Sequence, residues 1–302
     1  MGGLDGRGGK AMLDLLLRGD RVVTPQGVGA FDIGIAEERI VALASPGTLA
    51  PGESTRVIDV TGKIVMDNNK FVNGPNCGVT NSYLMMIESQ TYADFKFEHN
   101  YVDGKAQQFP QSLIGLIVPF VQGKMVLKYN AFLNAPARPV ISMDTHAQLF
   151  EYNYWEGFVY QIDDGHSEVV MNYLGNDKYQ PSITYSFNTG LETNQACNCG
   201  AAMWYATGDG QNTSIGSVMV DHNTSIVNKT KDGEVTLSAA SAETSYDTYG
   251  SVVFQQNYMD PTGSYECFIS TSNPTYKTPP QFIDNVDILN GKTVTDYGNC
   301  PT

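Results

Sequence analysis

A segment between residues 151 and 162 is rich in aromatic and acidic side chains, the residue types that recognise or cleave glycans. Aromatic rings stack on the apolar faces of sugars, and carboxylate or amide groups hydrogen-bond their hydroxyls. The candidate ligand-binding residues are Tyr152, Tyr154, Trp155 and Gln161, with Glu156 as a further hydrogen-bonding group. The alternative interpretation is an aromatic core strand of a β-sandwich.

Glycoside hydrolysis needs two carboxyl groups roughly 5–9 Å apart. The candidates for such a pair are Glu151, Glu156, Asp164 and Glu168. On one regular strand over 151–162, Glu151 and Glu156 face opposite sides, so only a bulge would bring them together. Asp164 and Glu168 flank an Asp-Gly turn, where a solvated hairpin is the alternative. The catalytic assignment therefore stays open.

The five cysteines all lie after residue 66, at Cys77, Cys197, Cys199, Cys267 and Cys300. Two disulfides and one free thiol would suit an oxidising compartment, whereas buried free thiols are the alternative. The spacing does not determine the connectivity. No further Cys or His is clustered near Cys197 and Cys199, so no metal site is predicted.

Three Asn-x-Ser/Thr sequons, at Asn212, Asn223 and Asn228, are glycan acceptors if the protein is secreted. Together with the cysteines they favour an extracellular or cell-surface location, although no signal peptide is visible in the sequence.

The overall composition excludes several classes of function. The 302 residues carry a formal net charge of -14, which argues against binding to nucleic acid or to anionic membranes. No apolar stretch is long enough for a transmembrane helix. No phosphate-binding glycine motif precedes a helix, so no cofactor is predicted. With 41% hydrophobic residues, the chain can bury a substantial core.

A composition break near residue 66 suggests two segments. Five of the six arginines lie before it, whereas Asn, Tyr, Cys and Trp occur only after it. We predict a flexible lead over residues 1–11, a small β segment over 12–66 and a larger body over 67–302. Whether the two segments form one natural unit stays open.

Short alternating segments separated by turn residues predict a mainly β body without long helices. The interpretation is an antiparallel β-sandwich or jelly roll, with a long strand over 151–162. We find no fixed-period repeat.

The first segment resembles a known family through LLLRGDRVVTPQGVGAFDIGIAEERIVALA and VIDVTGKIVM. This stretch is similar to the amino-terminal β-sandwich segment of hydantoinase/dihydropyrimidinase-type amidohydrolases. The resemblance covers about 55 residues and ends before the family's His-x-His metal motif, which is absent from this chain. It implies a fold for the segment and transfers no catalytic residue.

The favoured function is binding or assembly by a β-rich surface protein, with glycans or other copies of the chain as partners. The alternatives are a jelly-roll glycan hydrolase or lyase and, disfavoured, a hydantoinase-like metal-dependent cyclic-amide hydrolase.

Overall fold

The computed structural model divides the chain into two compact units, Met1–Val65 and Met66–Thr302. The division lies within one residue of the composition break. The structure describes residues 12–24, 27–37, 39–73, 82–88, 94–105, 113–120, 122–134, 138–143, 147–157, 167–168, 170–173, 179–192, 200–207, 214–227, 236–242, 248–259, 269–271, 275–288 and 290–294.

The first unit contains a four-stranded mixed sheet with the strand order β3-β2-β1-β4. Its strands are β1 (Leu15–Thr24), β2 (Gly27–Ala36), β3 (Arg39–Ala44) and β4 (Arg56–Asp59). β1 is antiparallel to β2 and parallel to β4. The buried carboxylate of Asp32 accepts a hydrogen bond from the Gly47 amide at 2.9 Å, which compensates for its burial.

The second unit begins within β5 and is built from short strands that recur in sets of three. The first sets are β5 (Lys63–Asp67), β6 (Lys70–Val72), β7 (Ser82–Glu88), β8 (Asp94–Glu98), β9 (Tyr101–Asp103), β10 (Leu113–Phe120), β11 (Lys124–Lys128), β12 (Ala131–Leu133), β13 (Arg138–Met143), β14 (Ala147–Glu151), β15 (Tyr154–Glu156), β16 (Ser167–Glu168) and β17 (Val170–Tyr173). The remainder are β18 (Tyr179–Ser186), β19 (Thr189–Glu192), β20 (Gly200–Thr207), β21 (Ser214–Asp221), β22 (Thr224–Val227), β23 (Thr236–Ala242), β24 (Thr248–Gln255), β25 (Tyr258–Met259), β26 (Ile269–Thr271), β27 (Thr275–Tyr276), β28 (Gln281–Ile283), β29 (Asn285–Asp287) and β30 (Thr293–Val294).

Each of the first seven sets places a strand in each of three sheets, and the fourth set has two strands, β16 and β17, in the third of them. Sheet 1 runs β5-β8-β11-β14-β18-β21-β24 and ends in β27 and β28. Sheet 2 runs β6-β9-β12-β15-β19-β22-β25-β29-β30, and sheet 3 runs β7-β10-β13-β17-β20-β23-β26, with β16 beside β20. Neighbouring strands of sheet 1 pair parallel, as β11 does with β8 and β14. A chain that visits three parallel sheets in turn forms a coil, so the second unit is a parallel β-helix.

The predicted antiparallel sandwich or jelly roll is therefore wrong. Alternation identifies strands but says nothing about the direction of their partners. The predicted long strand over 151–162 is also divided, because β14 ends at Glu151 and β15 begins at Tyr154. Between them Tyr152 has a positive φ of 57°, which turns the chain from sheet 1 into sheet 2.

An asparagine occupies this corner in every turn, and we call the series the asparagine ladder: Asn69, Asn100, Asn130, Asn153, Asn188, Asn223, Asn257 and Asn285. Each side-chain oxygen after the first accepts the backbone N–H of the preceding member, at 2.9–3.1 Å. Each Nδ2 after the first also donates to a backbone carbonyl of the preceding turn, such as Leu127 O for Asn153. The ladder thereby satisfies polar groups buried at the corner.

The interior of the β-helix contains stacked apolar side chains. Along sheet 1, inward positions pair in register from turn to turn, as Leu127 does with Phe97 and with Phe150. Beneath sheet 2, the rings of Phe132 and Trp155 stack with centroids 4.5 Å apart. Apolar side chains that stack in successive turns form a continuous apolar interior. The removal of this surface from water stabilises the fold.

The carboxyl-terminal edges of sheets 1 and 2 are modified in different ways. In sheet 2, β30 pairs antiparallel with β29 and covers the last parallel strand. In sheet 1, Pro279 and Pro280 separate β27 from β28, and proline lacks the N–H that a pairing edge needs. Both features oppose the pairing of another chain with this edge, so they argue against self-assembly through it.

Replacing a central member of the ladder should destabilise the β-helix. Asn153→Ala removes the acceptor for the backbone N–H and Nδ2 of Asn130. Because buried groups left unpaired cost about 1–3 kcal/mol each, we expect a loss of about 2–4 kcal/mol. The measurement is urea unfolding followed by tryptophan fluorescence, since both tryptophans lie in the second unit.

Asn69→Ala is the matched control, because Asn69 is exposed at the first turn and water can replace its hydrogen bonds. It should cost less than about 1 kcal/mol. Equal losses in the two variants would contradict the proposed role of the ladder.

Candidate functional site

The residue before each ladder asparagine projects outward from the corner, and five of these residues are aromatic. We call them the aromatic stack: His99, Tyr129, Tyr152, Phe187 and His222. Consecutive ring centroids are 4.8–5.0 Å apart and the rings are 7–20° from parallel. All five residues have a positive φ, between 52° and 57°. Ring stacking thus accompanies the strained corner.

The aromatic stack changes the expected role of Tyr152. Although Tyr152 is 45% exposed, Tyr129 covers one ring face and Phe187 the other. Sugars stack on ring faces, and only the ring edge of Tyr152 reaches solvent. The two terminal rings each contact a carboxylate: His99 Nδ1 lies 3.0 Å from Asp67 Oδ1, and His222 contacts Asp221. The geometry therefore favours a structural role for Tyr152.

Tyr154 and Glu156 lie together on the outer face of sheet 2. The Tyr154 hydroxyl donates to Glu156 Oε2 at 2.6 Å, and both residues are half-buried. This hydrogen bond, followed by burial and the carboxylate charge, raises the pKa of Tyr154 to about 12. At neutral pH the pair therefore presents a protonated phenol beside a carboxylate.

A second pair with the same spacing lies two strands away, formed by Tyr101 and Asp103. Burial, the charge of Asp103 and a hydrogen bond to it raise the pKa of Tyr101. Asn134 Nδ2 and the Lys105 amide both donate to Asp103 Oδ1 at 2.9 Å, which fixes that carboxylate. Lys70 Nζ lies over the Tyr101 ring, 5.1 Å from its centroid, so one ring face is occupied.

Ala131 lies in register between the two tyrosines, since it pairs with Tyr101 on one side and with Tyr154 on the other. Leu133 lies correspondingly between Asp103 and Glu156. We call this surface, with its methyl floor between two phenol rings, the Ala131 gap. Parallel strands are about 4.8 Å apart, so the backbones that carry the tyrosines are about 9.6 Å apart.

Two other residues from the 151–162 segment have different surroundings. Trp155 points into the core and is 0% exposed, so it cannot contact an external sugar. Glu151 faces outward on sheet 1 and forms an ion pair with Lys128 Nζ at 2.6 Å. That hydrogen bond is the largest cause of the raised pKa of Lys128. Because the corner reverses the alternation, Glu151 and Glu156 both face outward, in different sheets.

Most of the remaining predicted site residues lie in the part of the chain that the structure does not describe. Gln161, Asp164, Asn212, Asn228 and all five cysteines lie outside the described residues, and Glu168 ends β16. Asn223 is a ladder member and 0% exposed. Its Nδ2, the atom to which a glycan would be attached, donates to Tyr185 O at 2.8 Å and Asn257 Oδ1 at 3.0 Å. In the folded β-helix this nitrogen is therefore not accessible.

Sequence reasoning missed Tyr101, Asp103 and Ala131. The available sequence pattern is Asn-Tyr-x-Asp/Glu, which occurs as NYVD at 100–103, NYWE at 153–156 and NYMD at 257–260. In the first two of these, the asparagine fixes the corner, the tyrosine is the first outward residue of the next strand, and the acid is the second. The recurrence identifies equivalent positions in different turns.

Among the described residues, no group of three or more His, Cys, Asp or Glu side chains could hold a metal ion. The same part of the chain contains no helix with the length and hydrophobicity needed to cross a membrane.

Comparisons with protein-family models, with curated proteins and with solved structures find no match for this chain. The resemblance of residues 12–66 to hydantoinase-type amidohydrolases therefore stays a prediction.

The Tyr154–Glu156 hydrogen bond should make stability depend on alkaline pH. The folded-state pKa of about 12 exceeds the ordinary value of 10.0, so the contribution is complete below pH 10 and is lost as pH rises through 12. We expect the difference in urea midpoint between the wild type and Tyr154→Phe to change between pH 10 and 12. Glu156→Gln should lower the pKa of Tyr154, measured by phenolate absorbance. An unchanged phenolate titration would contradict this assignment.

Proposed function

We propose that the second unit is a glycan-binding protein whose Ala131 gap takes one ring of a neutral sugar. The observation that supports this proposal is the arrangement of two tyrosine–carboxylate pairs on either side of a single small residue. Ligand sites commonly combine an apolar surface with a few placed polar groups. Here Ala131 and the rings supply the apolar surface, and the phenols and carboxylates supply the polar groups.

The size of the gap favours a puckered ring over a flat one. A flat ring that makes van der Waals contacts of about 3.5–4.0 Å on both of its faces needs two surfaces about 7–8 Å apart. The strand spacing separates the tyrosine backbones by about 9.6 Å, which leaves room for the additional thickness of a saturated sugar ring. The Tyr101 face opposite Lys70 points towards this space. A pyranose can therefore contact both tyrosines.

The charges favour an uncharged ligand. Asp103 and Glu156 lie beside the gap, on either side of Leu133, and the chain carries a net charge of -14. A uronic-acid ring would meet two carboxylates and an unfavourable overall potential. The hydroxyl groups of a neutral sugar can instead donate to these carboxylates. The predicted extracellular or cell-surface location suits this role and stays a prediction.

Glycan hydrolysis is the second candidate, because Asp103 and Glu156 belong to strands about 9.6 Å apart, near the separation used by inverting enzymes. Such an enzyme needs one of its carboxyl groups protonated. In this structure one oxygen of each carboxyl group instead accepts hydrogen bonds, Glu156 Oε2 from the Tyr154 phenol and Asp103 Oδ1 from Asn134 and the Lys105 amide. Binding is therefore the better-supported function, and release of reducing ends from a bound oligosaccharide would favour hydrolysis instead.

Removing the Tyr154 ring should weaken glycan binding. The probes are β-1,4-linked oligomers of glucose, mannose and N-acetylglucosamine, measured by calorimetry. We expect Tyr154→Ala to bind at least one of these oligomers about tenfold more weakly than the wild type does, since loss of a stacked ring costs about 1.4 kcal/mol.

Tyr179→Ala is the matched control, because Tyr179 is a surface tyrosine, 51% exposed, that lies at the start of β18 in sheet 1 and not in sheet 2. It should bind as the wild type does. The proposal is wrong if no oligomer binds, or if Tyr154→Ala leaves every affinity unchanged.

A further inference from the structure

The outward positions that follow the ladder asparagines form a continuous row along sheet 2. In register from strand to strand, the row contains Tyr101, Ala131, Tyr154, Thr189, Thr224 and Tyr258. Tyr258 is 49% exposed. Tyr101 and Tyr258 are five strand spacings apart, or about 24 Å. We call this row the tyrosine row.

We propose that the tyrosine row binds an extended neutral polysaccharide that runs parallel to the axis of the β-helix, from Tyr101 to Tyr258. This inference rests on the proposed function and identifies its ligand as a polymer. A pyranose unit of an extended chain has a length close to one strand spacing, so successive units can follow successive turns. The Ala131 gap is then one subsite of a longer footprint.

The surface between Tyr154 and Tyr258 suits such a chain. Thr189 and Thr224 are the two intervening residues, and their side chains are short. Their small size leaves the surface between the Tyr154 and Tyr258 rings open to a ligand. Their hydroxyl groups can donate hydrogen bonds to a sugar or accept them from it. Beside this path, Leu191 and Ile226 pair in register and add apolar surface.

The ends of the footprint are also defined. At one end, Lys70 covers the outer face of Tyr101. At the other, Val286 follows Tyr258, and the pairing of Val286 with Thr293 of β30 ends the parallel part of sheet 2. A longer polymer can extend past these residues but gains no further row positions with rings in the described part of sheet 2.

The outer face of sheet 1 provides a contrast within the same fold. Its central outward row has Val126, Leu149, Thr184, Met219 and Val253 in register. These five positions contain no aromatic ring, so this row offers apolar contact without a stacking surface. The periodic surface of the β-helix alone therefore does not create the proposed site.

The test measures affinity for β-1,4-linked oligomers of two to eight units in the wild type, Tyr154→Ala and Tyr258→Ala. In the wild type, affinity should rise with length until an oligomer spans Tyr101 to Tyr258, and then level off. Tyr258→Ala should leave the affinity for dimers unchanged and weaken binding of the longest oligomers about tenfold. Tyr154→Ala should weaken both.

Tyr258→Phe keeps the ring and should retain the affinity for long oligomers. An unchanged urea midpoint for Tyr258→Ala would confirm that the fold is intact. Wild-type affinity that does not increase with length, or Tyr258→Ala that binds long oligomers normally, would overturn the extended footprint. Dimer binding that still depends on Tyr154 would then leave the Ala131 gap as a single site. Failure of the wild type to bind any oligomer would overturn both proposals.

Discussion

The asparagine ladder is the interaction on which the second unit depends. At each corner the chain turns from sheet 1 into sheet 2 through a residue with positive φ. The turn interrupts the pairing of the strands, so buried backbone groups at the corner need other hydrogen-bond partners. The ladder asparagines supply these partners. Asn188 Oδ1 accepts from the backbone N–H of Asn153, and Asn153 Nδ2 donates to the Leu127 carbonyl of the preceding turn. Because this contact repeats in every turn, it also sets the register of the strands and hence the in-register rows on the outer surface.

The sequence indicated strands but not their arrangement, and the corner explains why. A tyrosine or phenylalanine with positive φ is uncommon, so the sequence pattern predicts one long strand over 151–162 and gives no sign of the corner at Tyr152. The absence of a fixed period was misleading too. Consecutive ladder members are 23 to 35 residues apart, so the recurrence lies in the short motif and not in its interval.

Part of the candidate site could be predicted from residues close together in the sequence, whereas the arrangement of the strands could not. Tyr154 and Glu156 were identified by residue type, and a separation of two keeps them on one face. Their counterparts, Tyr101 and Asp103, are 53 residues earlier in the sequence, and only the parallel pairing through Ala131 brings the two pairs together. Trp155 is a candidate by its ring, but its position between Tyr154 and Glu156 turns it into the core.

The variable interval between ladder asparagines has an evolutionary consequence. The distances between ladder partners stay near 3 Å whether 23 or 35 residues separate them. Mutations that lengthen or shorten the chain away from this corner can thus be tolerated without disturbing it. Whole turns can likewise be duplicated or lost, because any two ladder positions present the same hydrogen-bonding groups. Such a scaffold can diversify by gain and loss of coils while its corner chemistry persists.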